Sequence, residues 1–378
     1  MKLLDICDIS GKTVKRFLGN KKYVATGDII DNTISSYSMV TYDNKPSRAN
    51  IEFDENELLF AKMINTRKVI LSNSDNINNI YSTGFYCLKP KDNIDINYLY
   101  YFINSEAFNK QKDKNCSGAT QKAINNEGLE KIIINDVPSI NEQIKLAKKL
   151  KIIDGLILIK KEQIKDLDEL IKSQFVEMFG DFNNSKYKKT KLDKIANIGS
   201  SHRVFTNEFV DDGIPFYRGT EITMLANGVK PKECFYISKE HYEKICSDKT
   251  KPKINDLLMP SICNKGQIWL VNTDEPFYYK DGRVLSISLK TSNINPKYLH
   301  YYMKNKTIEE YPKLGSGSTF AEFKIFLLKD VDVIVPPIEI QNKFANIVEQ
   351  IDKQKFEFEN SLKKLEELQA ALMQEYFG

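Results

Sequence analysis

Glu177-Met178-Phe179-Gly180 and Glu375-Tyr376-Phe377-Gly378 close two stretches, Ile144–Gly180 and Asn342–Gly378, that align without a gap at an offset of 198 residues. Just ahead of them Gln143 matches Gln341. Within them Lys145 matches Lys343, Ala147 matches Ala345, Asp154 matches Asp352, Leu167 matches Leu365 and Leu170 matches Leu368. A copy of this length is too long for a solenoid repeat and suits two domains with similar appendages. Leu150, Ile157, Ile164, Ile171 and Met178 recur every seven residues, and so do Phe344, Ile351, Phe358, Leu365 and Leu372. A seven-residue apolar repeat is one face of a coiled coil. The neighbouring seams are mixed, with Lys160 and Gln174 in one copy and Lys355 and Gln369 in the other. Two helices of about 60 Å, roughly 40 residues at 1.5 Å each, are expected. They pack on each other as an antiparallel pair, or, in the plainer alternative, each lies on its own domain. Length speaks against the alternative, because a small domain has too little surface to cover so long a stripe.

Outward from the helices, each half has the same order of parts. Lys2–Ser10 and Lys191–Gly199 are short apolar openings. Strand-like segments follow, Tyr23–Thr26 and Val69–Leu71 in one half, Ile268–Val271 and Val284–Leu289 in the other. Next come tyrosine-rich helices, Tyr98–Phe102 and Tyr298–Tyr302, whose spacing makes them core faces rather than base-stacking platforms. Small-residue loops come after them, Ser117-Gly118-Ala119-Thr120 and Ser316-Gly317-Ser318-Thr319. β-like runs to proline precede the long helices, Ile132–Pro138 and Val331–Pro337. The reading is a mixed α/β chain in four parts: a domain over 1–138, a helix over 139–180, a domain over 181–336 and a helix over 337–378. Each domain is a twisted sheet with short helices, and the whole is pseudo-two-fold.

The 378 residues are 41% hydrophobic and 28% charged, enough for real cores in two to three domains. No run approaches 18 apolar residues, so no membrane span is expected. Acids at Asp5 and Asp8 interrupt the start where a signal peptide needs an apolar run. The six cysteines are scattered without a C-x-x-C pair, which fits a reducing cytoplasm. Residues 1–138 carry 18 basic and 17 acidic groups, and 139–180 carry 8 and 7. Residues 181–336 carry 24 and 19, and 337–378 carry 5 and 8. A polyanion is therefore expected to prefer the domains, the second above all.

Catalytic signatures are thin. Val335-Pro336-Pro337-Ile338 lacks the amide or acid and the aromatic of a nucleotide methyltransferase step. Glu322-Phe323-Lys324 matches only the end of a nuclease motif, and Ser316-Gly317-Ser318-Thr319 lacks the Gly-Lys of a P-loop. His202, His241 and His300 are too spread for zinc, so no metal is expected. The chain reads as a binder. Its candidates are Ser117, Thr120, Gln121 and Lys122 in one loop and Ser316, Ser318 and Thr319 in the other. Glycines there let backbone N–H groups approach a phosphate, and hydroxyls add contacts. Arg218 with Thr220, beside the bend at Gly219, offers a planar donor suited to a guanine edge or a phosphate. Lys265, Lys280 and Arg283 lie in basic turns, and Arg203 and Lys324 complete the second half's set. Arg16, Lys21, Lys22, Arg48 and Lys62 are the first half's weaker counterparts. Any one of these cations, taken alone, reads first as a solvated surface charge.

Together these features resemble the specificity (S) subunit of type I restriction-modification enzymes. The likeness rests on the opening stretch, on Phe216-Tyr217-Arg218-Gly219-Thr220-Glu221-Ile222, on Asp256-Leu257-Leu258-Met259 and on Ser316-Gly317-Ser318-Thr319. Val335-Pro336-Pro337-Ile338-Glu339-Ile340-Gln341, leading into the long helix, completes it. It covers the whole chain, and the order of motifs, given twice, carries it. The first half departs from the pattern, with Val24–Asp28 where the second has Arg218-Gly219-Thr220 and Ser139 for the second proline. The resemblance implies two target recognition domains, each reading one half of a bipartite site on double-stranded DNA. It implies helices that set the spacer and dock two methyltransferase subunits, with Leu150, Ile157, Ile164, Ile171, Ile351, Phe358, Leu365 and Leu372 as the partner-binding set. Motor-nuclease subunits would complete the complex. AdoMet and ATP would sit in those partners, and this chain would hold no cofactor and catalyse nothing. Two other classes compete: a diverged nuclease acting on DNA, and a coiled-coil scaffold that never meets DNA.

Overall fold

The computed structural model describes residues 1–119, 121–182, 184–247, 250–314 and 321–378. It is mixed α/β, with two sheet-rich domains and two 40-residue helices, Ile140–Phe179 and Ile338–Phe377. The chain divides into two compact units, Met1–Gln163 with Phe358–Gly378, and Ile164–Glu357.

In the first unit a four-stranded antiparallel sheet runs in the order Cys7–Ser10, Phe85–Pro90, Leu58–Ala61, Val69–Leu71. Leu58 to Ala61 are all buried because both faces of the sheet are covered. The two-residue period of a strand divides them. Leu58 and Phe60 face a core shared with the tyrosine helix, whereas Leu59 and Ala61 face Val24, Tyr81 and Phe85. A second sheet orders Lys12–Thr13, Ala49–Glu52, Ile80–Ser82, Lys21–Val24 and Ser38–Val40, with one parallel pair between Ile80–Ser82 and Lys21–Val24. The tyrosine helix Ile96–Asn104 starts where Asp95 accepts from the Tyr98 N–H at 2.9 Å. Tyr98, Tyr101 and Phe102 are core residues, as their spacing implied.

The second unit repeats this plan. Ala196–Gly199, Val284–Leu289, Leu257–Pro260 and Trp269–Leu270 form the antiparallel sheet. Phe209–Val210, Phe235–Ile237, Ile214–Tyr217 and Tyr278–Tyr279 form the other, its last pair parallel. Asn295 caps the helix Pro296–Glu310 by accepting from Lys297 and Tyr298 N–H groups. The β-like runs ahead of the long helices differ. Asp332–Ile334 pairs with Lys189–Lys191, whereas its counterpart in the first unit makes one isolated bridge, Lys2 with Ile133.

Gln143 and Gln341 recur because each performs the same task. The Gln143 carbonyl accepts from Asp95 N–H at 2.9 Å, and its amide donates to the carbonyls of Asn93 and Pro138. Gln341 does this with Asn295, Asn293 and Pro336. Phe179 and Phe377 recur for a matching reason. In the first unit Phe377 packs on Tyr98 and Phe102, beside Leu146, Ala147 and Leu150. In the second, Phe179 packs on Tyr298 and Phe344. Gly180 ends the first long helix at φ +80°, where a Cβ would stand 2.5 Å from the Asn184 carbonyl oxygen.

Both packing alternatives are therefore realised, helix on helix and helix on domain. In the first unit Lys161 pairs with Glu366 at 3.2 Å, the Gln369 amide donates to Asp154, and Lys160 lies over the Phe358 ring. In the second, Asp168 pairs with Lys355 at 2.7 Å and Phe175 meets Phe344. Within each unit the segments run antiparallel. Leu150, Ile157, Ile171 and Ile351 are buried, and Ile164, Phe358, Leu365 and Leu372 are half-buried. The heptad seam thus packs in large part within the chain.

Candidate nucleic-acid interface

In the second unit, strand Ile214–Tyr217 delivers the chain to Arg218, the residue before helix Gly219–Ala226. Glu221, one turn in, accepts from the Arg218 backbone N–H at 2.8 Å, satisfying an orphan donor of the helix start. The same carboxylate binds the guanidinium twice, from Nε at 3.1 Å and from Nη2 at 2.7 Å. Burial would raise the Glu221 pKa, but the bonds from the Arg218 side chain and backbone hold it below the ordinary carboxylate value. The guanidinium also lies over the Phe235 ring, 4.7 Å from its centroid. Gly219 is small for a reason, since a Cβ would come within 3.3 Å of Pro260.

Arg218 opens onto a cleft of about 520 Å³ with Gly219, Thr220, Met224, Pro260, Ile262, Lys280 and Arg283. Lys280 and Arg283 also line a second cleft of similar size, with Arg203, Asp281, Glu322 and Lys324. Five of the expected cations are thus brought together from separate stretches of sequence. Four are braced by carboxylates. Arg203 Nε donates to Asp281 at 3.1 Å, Lys324 meets Glu322 at 2.7 Å, and Arg283 also bonds Glu322. Lys280 has no carboxylate partner among the described residues. Each carboxylate is more buried than its cation, at 4% exposed for Glu221 against 42% for Arg218. Thr220 is exposed at the cleft, whereas Lys265 lies outside both clefts. Ser316, Ser318, Thr319 and, in the first half, Thr120 lie outside the described residues.

The first unit's candidates form no single cluster. The Lys62 ammonium lies 4.2 Å from the Tyr86 ring centroid, and burial lowers its pKa. Backbone bonds from Ile64 to Lys122 and from Ile124 to Lys62 bring it beside the loop carrying Ser117, Gln121 and Lys122, all three exposed. Lys21 is paired with Glu52 at 2.6 Å, and Arg16 with Asp43 at 3.5 Å. Arg48 is exposed elsewhere, and Lys22 lines a separate, asparagine-rich cleft. Counting cations missed Glu221, Asp281, Glu322 and Phe235. The spacing Arg218-x-x-Glu221 was a legible capping signal for the first of them. Among the described residues no cluster of three or more His, Cys, Asp or Glu could hold a metal ion, and no helix is long and apolar enough to cross a membrane.

Two α/β modules of one plan, each closed by long helices, define a duplicated recognition chain. The family model for the type I restriction modification DNA specificity domain matches residues 1–169 and 184–370, and the chain belongs to this family. It is similar to two proteins of Methanocaldococcus jannaschii. The type I restriction enzyme MjaVIII specificity subunit is 31% identical over 379 residues, 92% of this chain and 84% of that one. The MjaIX specificity subunit is 25% identical over 317 residues, 77% and 70% of the two chains. Two solved structures share the fold across 100% of this chain. One, from work on complex assembly and conformational transition of the type I R-M system, has a TM-score of 0.61 at 18% identity, with 96% of its chain covered. The other, the type I restriction-modification S subunit from M. genitalium, has a TM-score of 0.59 at 15% identity, with 95% covered.

Proposed function

We propose that this chain is the non-catalytic, sequence-reading subunit of a cytoplasmic type I restriction-modification complex, each α/β module reading one half of a bipartite DNA site. The observation that carries this reading is one plan bearing two different surfaces: a braced cationic cluster in the second module, and Lys62 with exposed Ser117, Gln121 and Lys122 in the first. Like scaffolds hold like roles, and unlike surfaces read unlike bases. AdoMet and ATP belong to the methyltransferase and motor subunits, and this chain supplies DNA contacts and docking. Replacing residues 1–138 with the corresponding domain of another family member is expected to change one half of the methylated sequence and leave the other intact. Methylation mapping reads this directly; change in both halves, or in neither, defeats the modular reading.

The docking surface lies outside the heptad seam. Leu158 and Phe356 are matched positions in the two helix copies, and they are 67% and 64% exposed. Leu170 and Leu368 match likewise, at 45% and 49%. Large apolar side chains kept exposed at equivalent places suit two copies of one partner. Leu158→Glu and Phe356→Glu are each expected to weaken one methyltransferase contact by about 1–3 kcal/mol, the range of an interface anchor, without lowering the melting temperature of the chain. Native mass spectrometry should show loss of one subunit per variant; unchanged assembly would place the dock elsewhere. Lys161 and Glu366 are poor targets for this test, because their pairing lies within the helix pair.

A further inference from the structure

Arginine has five N–H donors in a rigid fork. Glu221 takes Nε–H and one Nη2–H of Arg218, and Phe235 covers one face of the guanidinium. Among the described residues no acceptor meets the remaining Nη1–Nη2 end, and Arg218 lines the cleft with Lys280 and Pro260. We infer that Glu221 is a positioning residue that aims this free end of Arg218 at the O6 and N7 acceptors of a guanine, while Lys280 meets the DNA backbone. The inference rests on the reading that residues 181–336 recognise one half-site.

The charge balance favours a base over a phosphate. Arg218 and Glu221 form a neutral pair with directed donors, and the buried carboxylate behind the arginine repels an anion. A base edge is neutral and presents two acceptors at the spacing of the fork. Part of the cleft wall is apolar, with Met224, Pro260 and Ile262, and suits a base edge better than a hydrated phosphate. Lys280, which has no carboxylate partner among the described residues, retains the long-range attraction that a phosphate needs. The clamp thus gives up affinity for DNA in general and gains discrimination at one position.

The test uses the complex assembled with its methyltransferase subunits, acting on duplexes with randomised half-sites, and the methylated products are sequenced. The unaltered complex should require guanine, on one strand or the other, at one position of the half read by residues 181–336. Glu221→Gln keeps a carbonyl to cap the Arg218 N–H but loosens the fork. It should relax that position roughly 10- to 100-fold, the range of one bidentate contact, with the other half unchanged and non-specific binding no weaker. Phe235→Leu, at a residue 42% exposed, should relax the same position without touching the cap. Retained discrimination at every position in both variants overturns the inference. So does a uniform loss of binding in Arg218→Ala with a log–log salt slope shallower by about 0.9, the signature of a phosphate contact. An unaltered complex with no split-site preference would instead sink the half-site reading, and this inference with it.

Discussion

Phe179→Ala lowers the unfolding free energy of the second unit by about 4 kcal/mol, within the range for truncating a fully buried phenylalanine. The ring is 0% exposed and lies 5.0 to 5.3 Å from the rings of Phe175, Tyr298 and Phe344. Those neighbours belong to the tyrosine helix and to both long helices, so a cavity there cannot close by moving one side chain. Aromatic pairs at these separations add stability beyond the area they bury. Trp269, the chain's single tryptophan, lies in this unit and is 5% exposed, so its fluorescence in a urea titration reports the loss. Phe377→Ala, at the matched position of the first unit, should leave the tryptophan transition closer to that of the unaltered chain. A shift in Phe179→Ala worth under about 1 kcal/mol would mean that the site collapses around the missing ring.

The two phenylalanines show what was legible in the sequence. Their identity in the repeat was visible, and the seven-residue period correctly gave long helices. What each ring packs against was not visible, because the contact joins the end of one helix to residues distant in sequence. The strand Leu58–Ala61 was missed for another reason. All four residues are buried, so the alternation that marks a half-exposed strand is absent. At the interface, Arg203, Arg218, Lys280, Arg283 and Lys324 were legible as candidate cations. Their convergence depends on how two sheets and a loop fold together. Their bracing by Glu221, Asp281 and Glu322 was hidden because a count of cations does not show which acid each one meets. On the helices the most regular apolar pattern is buried or half-buried, as the expected seam between the two copies needs, and the exposed pair Leu158 and Phe356 sits off that pattern.

Gln341→Glu should destabilise the second unit by about 4 kcal/mol at neutral pH, the cost of leaving a buried charge without a partner. Gln341 is 0% exposed, and its amide donates to the carbonyls of Asn293 at 3.0 Å and Pro336 at 2.7 Å. A carboxylate of the same shape still accepts from Asn295 N–H but donates nothing, and its second oxygen faces two carbonyl oxygens. Burial and that repulsion raise the acid's pKa in the folded state above its ordinary value of about 4.3. The folded state then binds more protons than the unfolded one, so stability falls as pH rises from about 4.3 towards the raised value. At lower pH the acid is protonated in both states and regains one donor, and most of the penalty disappears. Gln341→Ala removes the same bonds without adding a charge, so its cost should not change with pH. Urea titrations of both variants at pH 7.5 and 4.5, each relative to the unaltered chain, separate the two effects. An equal loss at both pH values in Gln341→Glu would mean that water reaches the carboxylate and the helix start is open to solvent. A penalty confined to the higher pH would show why glutamine recurs here: the position needs an acceptor and two donors on one uncharged group.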